Sequence, residues 1–282
     1  METFCQQSFS LPSDSIIYYI LMNPSTPELY QKLIQICKYF FINNPILIVP
    51  EVYFTGEDLL EFKLNENFFH KISSKIWITD IIHIYQPYTK SDEEYIIPFI
   101  KPKVYRNDVK SIEIGIKNMF LDDFIFISSK AETVLLWPFS LINEDGSIVP
   151  LEKIIENLSA VKDFEYQLPN DDDATKIITS KTVEELIKIP HFSNLDSFFL
   201  NYHVPENFDI ENFYENYVKK NKKTKISLVF DTKLSEEYYK RVIKIADEIL
   251  SIKNHDFKVP ALSCPGIEST WKREELERLM NL

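Results

Sequence analysis

Apolar side chains in the first fifty positions recur at helical spacing. Ile16, Ile17, Ile20 and Leu21 fall on one face of a helix that must stop near Asn23, because the residue before Pro24 is biased out of helical geometry. Thr26, Pro27 and Glu28 then supply an N-cap, a first-turn proline and an early acid. Tyr30, Leu33, Ile34, Cys37 and Phe41 follow at i, i+3, i+4, i+7 and i+11, which predicts a second helix with a buried stripe, ended by Asn43-Asn44-Pro45. From about residue 70 the pattern changes. Apolar residues at i, i+3 and i+5 predict short strands at Val109/Ile112/Ile114, Ala131/Val134/Leu136, Val161/Phe164/Tyr166 and Leu195/Phe198/Leu200. Lys223/Ile226/Leu228 keeps the last two positions, and KIWITD carries Ile76 and Ile78 in the same phase.

Helical segments separate these strands: LEKIIENL from Leu151, TVEELIKI from Thr182, DIENFYENYVKK from Asp209 and SEEYYKRVIKIADEIL from Ser235. Thr182 with Glu185 fits a capping box, and Ser235 precedes two first-turn acids. The units recur at intervals of roughly 22 to 36 residues, which overlaps the leucine-rich repeat period at its short end. Each has one apolar strand face and one apolar helix stripe, and neither can be buried alone. Stacking them buries both and leaves a mostly parallel sheet lining one surface. The expected fold is therefore α/β, a helical module over residues 1–48 followed by an irregular strand–helix solenoid over 49–282. An ordinary open α/β domain with crossover helices is the competing arrangement. A last helix from Thr270, with Trp271, Leu276, Leu279 and Met280, would cap the open end.

Composition narrows the chemistry. The net charge of −12 opposes a nucleic-acid surface, which needs a basic patch to release counterions. Only four glycines occur, none spaced to cradle a phosphate. Cys5, Cys37 and Cys264 are an odd, scattered set, expected to be free thiols, with Cys37 a buried structural cysteine on its helical stripe. No positively charged, apolar leader begins the chain, and FFINNPILIV is too interrupted to span a bilayer. Cytoplasmic or nuclear residence is the expectation. The five histidines lack metal-ligand spacing. Asp171-Asp172-Asp173 lacks the plan of a calcium loop and reads as a solvated loop, while the lysines from Lys219 to Lys225 suit a helix C-terminus. No enzyme signature, cofactor or metal site emerges.

What remains is surface. Between the buried strand positions, Glu113, Glu165, Gln167, Ser197, Phe199 and Ser227 should face outward and form a binding surface for a protein substrate. Phe199 is its natural anchor. The N-terminal segment adds a resemblance. Phe9-Ser10-Leu11-Pro12, then Ile16, Ile17 and Ile20, then Leu29 and Leu33, and finally Cys37-Lys38-Tyr39-Phe40 resemble an F-box. With "CKYFF…NNPI" after the box and "DGSIVPLEKI" midway, the chain looks like an expanded family of nematode F-box-like proteins, in which a leucine-rich-repeat-like region follows the box. The resemblance implies docking onto the adaptor Skp1 within a cullin complex of a ubiquitin ligase. Leu11, Pro12, Ile16, Ile17, Ile20, Leu33, Cys37 and Phe40 would be the adaptor-facing and packing residues. It implies no catalytic residue, and charge and hydropathy add the expectation of no nucleic-acid and no membrane partner. Two other readings stay open: a protein-binding solenoid that no longer engages Skp1, and an unrecognised α/β enzyme.

Overall fold

The computed structural model describes residues 14–55, 72–85, 97–169, 172–267 and 271–282. It begins with three short helices, α1 (Asp14–Met22), α2 (Pro27–Ile36) and α3 (Lys38–Asn43). Thr26 caps α2 by accepting from the Leu29 amide, with Pro27 opening the helix and Glu28 in its first turn. Two strands follow, β1 (Ile46–Thr55) and β2 (Lys75–Tyr85). Next come α4 (Ile97–Ile100), β3 (Val104–Asn107), β4 (Ser111–Gly115), β5 (Asn118–Phe120), α5 (Leu121–Ser128), β6 (Thr133–Leu136) and β7 (Ser140–Ile142). The remainder runs α6 (Leu151–Glu156), β8 (Asp163–Gln167), α7 (Asp172–Ile177), α8 (Thr182–Lys188), β9 (Ser197–Val204), α9 (Ile210–Asn216), β10 (Lys225–Phe230), α10 (Glu236–Ser251), β11 (Ala261–Ser263) and α11 (Trp271–Met280).

The fold is α/β, built on a parallel sheet in the order β1-β2-β4-β6-β8-β9-β10-β11, with β3 also paired to β2. Strand order follows chain order, so each chain excursion returns to lay its strand beside the previous one. β3 and β4 are two parts of one broken strand. Between them the amides of Asp108 and Lys110 still donate to the Ile78 and Asp80 carbonyls of β2. A small parallel pair, β5 with β7, lies apart from the main sheet.

Register explains the i+3 and i+5 pattern. Val52, Ile82, Ile112, Val134, Phe164, Phe198 and Ile226 are successive partners, and all are fully buried. Two residues on, Phe54, Ile84, Ile114, Leu136, Tyr166, Leu200, Leu228 and Leu262 form a second buried ladder. Partners stand as little as 22 residues apart in sequence (Ile112 and Val134) and as much as 34 (Phe164 and Phe198). The first position of the pattern, at Val109, Ala131, Val161 and Leu195, is also buried just before each strand. Each such side chain contributes about 1.5–3 kcal/mol on leaving water. The ladders thus hold the stack together despite unequal excursions. Helix α10 covers part of this core with Tyr238, Val242, Ile245, Ala246 and Ile249, and Ser235 caps it as expected.

Buried tyrosines close the irregular corners. The Tyr166, Tyr217 and Tyr238 hydroxyls donate to the carbonyls of Phe139, Phe192 and Phe208, which no ladder satisfies. Tyr30 does the same where the helices meet the sheet. Its hydroxyl donates to the Asn44 carbonyl and accepts from the Ile46 amide, while Asn44 donates to the Leu21 carbonyl. Tyr30, Ile46 and Trp77 form a separate buried cluster, flanked by Ile34, Ile48 and Tyr105. Tyr105 and Arg106 reach the Met22 and Ser25 carbonyls, so α1 and α2 are tied to β2 and β3 by side chains.

Several expectations need correction. The second helix is two helices, because Cys37 adopts an extended conformation (φ −148°) between α2 and α3. Cys37 is consequently exposed, not buried in a stripe, and Leu33 and Phe41 are only half-buried. Strand β1 was not expected, and β2 runs on five residues past Asp80 to Tyr85. Thr182 forms no capping box. It lies inside α8, accepts from the Thr179 amide and donates to Glu152 of α6. Asp172 and Asp173 open helix α7 instead of sitting in a loop, where their charge suits the helix N-terminus. At the Lys223 register it is the adjacent Thr224 that is buried, donating to the Leu195 carbonyl.

Candidate functional site

Two surfaces stand out, one on each part of the chain. The first is the N-terminal helical module. Leu21 and Tyr30 bury themselves, but Ile16, Tyr18, Tyr19, Ile20, Met22, Leu29, Ile36, Tyr39 and Ile42 are all exposed, Ile16 to 52% and Ile36 to 81%. Among the described residues, nine of the fourteen exposed large apolar side chains thus lie within 16–42. Scattered apolar residues are normal on a surface, whereas this density marks an interaction site. Of the residues assigned to adaptor docking, Ile16, Ile20 and Cys37 are exposed, and Ile17, Leu33 and Phe40 are half-buried. Leu11 and Pro12 lie outside the described residues. The sequence pattern passed over Ile36 and Ile42 because it treated 27–43 as one helix. Ile36 ends α2 off that stripe, and Ile42 lies in α3, where the helical phase restarts after the extended Cys37.

The second surface is the sheet face opposite the buried ladders. Register places its side chains in rows. Glu51, Ile81, Ser111, Thr133, Asp163, Ser197 and Lys225 form one, and Tyr53, His83, Glu113, Leu135, Glu165, Phe199 and Ser227 the next. All six residues expected to face outward do lie on this face, half-buried, four of them in one row. Ser197 belongs to the row before and Gln167, beside Asn201, to the row after. Tyr53 and His83 were missed with β1 and the second half of β2. The alternation in IIHIY (81–85) carried the signal for His83.

Polar contacts on this face are organised around two glutamates. Glu113 Oε2 accepts from the Tyr85 hydroxyl at 2.6 Å and lies 2.9 Å from His83 Nδ1, whose ring stacks on Tyr53 at 4.3 Å. The Tyr85 ring lies across Gly115, where an added Cβ would come within 2.8 Å of Tyr85 Cδ1 and 3.4 Å of Trp137 Cβ. A glycine inside a strand marks such a close approach. Burial, aided by the hydrogen bond to Glu113, pushes the Tyr85 hydroxyl up to about 12, so it remains a donor at neutral pH, and Trp137 hydrogen-bonds to it in turn. Glu165 accepts from Asn201 at 2.7 Å, and Asp163 accepts from Ser197. At the end of β9, Tyr202 (φ 59°) and His203 (φ 56°) both adopt the left-handed conformation, unusual for such residues, and Tyr202 is left 56% exposed.

The corner where strands begin is different. There Lys130 pairs with Asp108, Lys162 with Glu132 and Lys223 with Asp196, each joining adjacent turns of the chain. Among the described residues, two histidines outside the sheet face serve packing. His191 and His255 each place Nε2 against a helix-end carbonyl, of Ile155 and Ile249 respectively. Among the described residues no three histidine, cysteine or acidic side chains converge as metal ligands, and no helix is long and apolar enough to cross a membrane. Comparison of the chain with protein-family models, with curated proteins and with solved structures yielded no match.

Proposed function

We propose that the chain is a substrate-recognition adaptor of a Skp1–cullin–F-box ubiquitin ligase. Its N-terminal helices dock on Skp1, and its leucine-rich-repeat-like sheet region presents a protein substrate. The observation that carries this reading is the concentration of exposed apolar side chains on α1, α2 and α3, in the segment that resembles an F-box. A short helical module that leaves Ile16, Ile20, Ile36 and Ile42 in water gains most by being covered. Its tie to the sheet through Tyr30, Trp77 and Tyr105 would fix the orientation of a docked adaptor relative to the sheet face. The protein would supply no reacting group and would act by holding a substrate near the transferring enzyme.

The test is co-purification of the full chain with Skp1. Wild type should form a stoichiometric complex. Ile16→Asp with Ile20→Asp should weaken it about tenfold or more, since buried apolar anchors dominate such interfaces. Both side chains are exposed, so the double variant should keep the wild-type circular dichroism spectrum and melting temperature. Failure of wild type to capture Skp1 ends the ligase reading and leaves a binding module of the same architecture.

A further inference from the structure

The outward sheet face has an uneven distribution of charge and aromatic surface. Cations at the strand-start corner are taken up by neighbouring acids, as Lys130, Lys162 and Lys223 show. On the face itself the balance reverses. Among the described residues Glu165 and Glu51 form no ion pair, Asp163 feels the adjacent Lys162 without pairing to it, and Glu113 has only His83. Contacts to Glu113 converge on Oε2, and those to Glu165 on Oε1, so each carboxylate retains an oxygen for a ligand. Aromatic rings flank them. Tyr85 stands beside Glu113, the 37%-exposed Trp137 lies beside Tyr85 and Gly115, and the exposed Tyr202 follows Asn201, the partner of Glu165. Carboxylates set among π-faces suit a guanidinium or ammonium group, which gains from both the charge and the ring quadrupole.

We propose that this face binds an extended protein segment bearing two basic side chains three residues apart. One cation is held at Glu113 beside Tyr85 and Trp137, and the other at Glu165 beside Asn201. Glu113 and Glu165 are separated by one strand, β6, whose Leu135 lies between them in the same row. Neighbouring strands stand about 4.8 Å apart, so the two carboxylates are anchored roughly 10 Å apart. Three residues of polyproline II chain cover about the same length, at about 3.1 Å each, and with three residues per turn they return the side chain to the same face. A segment crossing the strands in that conformation therefore places its two cations on the glutamates, with the chain between them passing over Leu135. This inference names the substrate chemistry of the proposed adaptor, but it rests on the sheet face alone. It stands whether or not the helices engage Skp1.

Fluorescence anisotropy of the full-length protein with fluorescein-labelled peptides tests it. The probe carries a single Lys-Leu-Ser-Lys. One control peptide replaces lysine by glutamate, and another places the two lysines side by side. The probe should bind, weaken with added salt, and exceed both controls. Glu165→Gln and Glu113→Gln should each weaken it about fivefold. Glutamine keeps the acceptor oxygen that Tyr85, His83 or Asn201 contacts, and Glu165→Gln sits on a half-exposed side chain that folding does not depend on. Glu236→Gln with Glu237→Gln, exposed on α10, removes twice the charge of either single variant from elsewhere and should change nothing. Ile16→Asp with Ile20→Asp should likewise leave peptide binding intact. Equal losses in the α10 and sheet-face variants would reduce the effect to attraction by net charge and overturn the proposal. Absence of binding to wild type, or equal binding of the side-by-side peptide, would overturn it as well.

Discussion

Single side chains decide where the irregular parts of this chain can be buried. The Tyr30 hydroxyl is the clearest case, because it satisfies one acceptor and one donor at the point where helix gives way to strand. Tyr30→Phe keeps the ring in its cluster with Ile46 and Trp77 but strands both backbone groups. It should cost about 1–3 kcal/mol, read as a lower denaturant midpoint with unchanged slope. Gly115 acts through the side chain it lacks. Gly115→Ala puts a methyl against the Tyr85 ring, so Tyr85 must move, and the loss should be about 1–3 kcal/mol. The same variant should weaken binding of the lysine peptide, because Tyr85 positions Glu113 through its hydroxyl. Neither role was visible in the sequence. A buried tyrosine and a strand glycine were legible as residue types, but the backbone groups and rings they answer to lie 14–16 and 30 residues away.

At the scale of elements, the strands legible in advance were those with two inward positions on a ladder, since burial on one face forces period two regardless of neighbours. Val109/Ile112/Ile114 and Leu195/Phe198/Leu200 are such cases. β1 was hidden by Pro50, which argues against a strand wherever its missing amide would break a ladder. Here β1 ends the strand order, and the register shifts across Pro50 between Val49 and Glu51, so the proline sits at a bulge on an edge. The helical module was legible through its caps, Thr26 above all, but the break at Cys37 was not, because the apolar spacing continues through it. What joins the module to the sheet depends on Asp108, which accepts from Trp77 Nε1 at 2.7 Å and pairs with Arg106 and Lys130. Burial raises its pKa, but the hydrogen bonds from Lys130, Trp77 and Arg106 together outweigh that and hold it below the ordinary 3.8. A depressed carboxylate contributes stability that is present above its unfolded value and lost as pH falls through the folded one. In a Trp137→Phe, Trp271→Phe background, Trp77 emission should therefore hold steady down to about pH 4 and change below it. Asp108→Asn should show the altered emission already at neutral pH. Identical emission in the two proteins at pH 7 would remove Asp108 from the joint.

For the whole molecule, consecutive strands in consecutive order mean that each turn of chain packs chiefly on the turns before and after it. The ladders of Ile, Leu and Phe supply continuity, and the buried tyrosines supply the polar closure at each corner. That division of labour has a consequence at high pH. Burial raises the pKa of Tyr30, Tyr166, Tyr217 and Tyr238 above the ordinary 10.0. A raised pKa means the folded state holds its proton more tightly than the unfolded chain. The associated stability is complete below pH 10 and declines as pH climbs from there toward the folded values. These tyrosines span the chain from the helix–sheet joint to the turn under α10, so their losses fall on one cooperative structure. Alkaline titration should therefore show little tyrosinate absorbance from these four rings before unfolding begins. A later, steep rise should coincide with loss of the far-ultraviolet circular dichroism signal. Tyr238→Phe removes one of the four and with it the hydrogen bond to the Phe208 carbonyl. It should lower stability at neutral pH yet make the alkaline loss less steep, since one fewer proton is released on unfolding. A steep absorbance rise while the secondary structure stays intact would mean that these hydroxyls ionise in the folded protein, and the corners would then not depend on them.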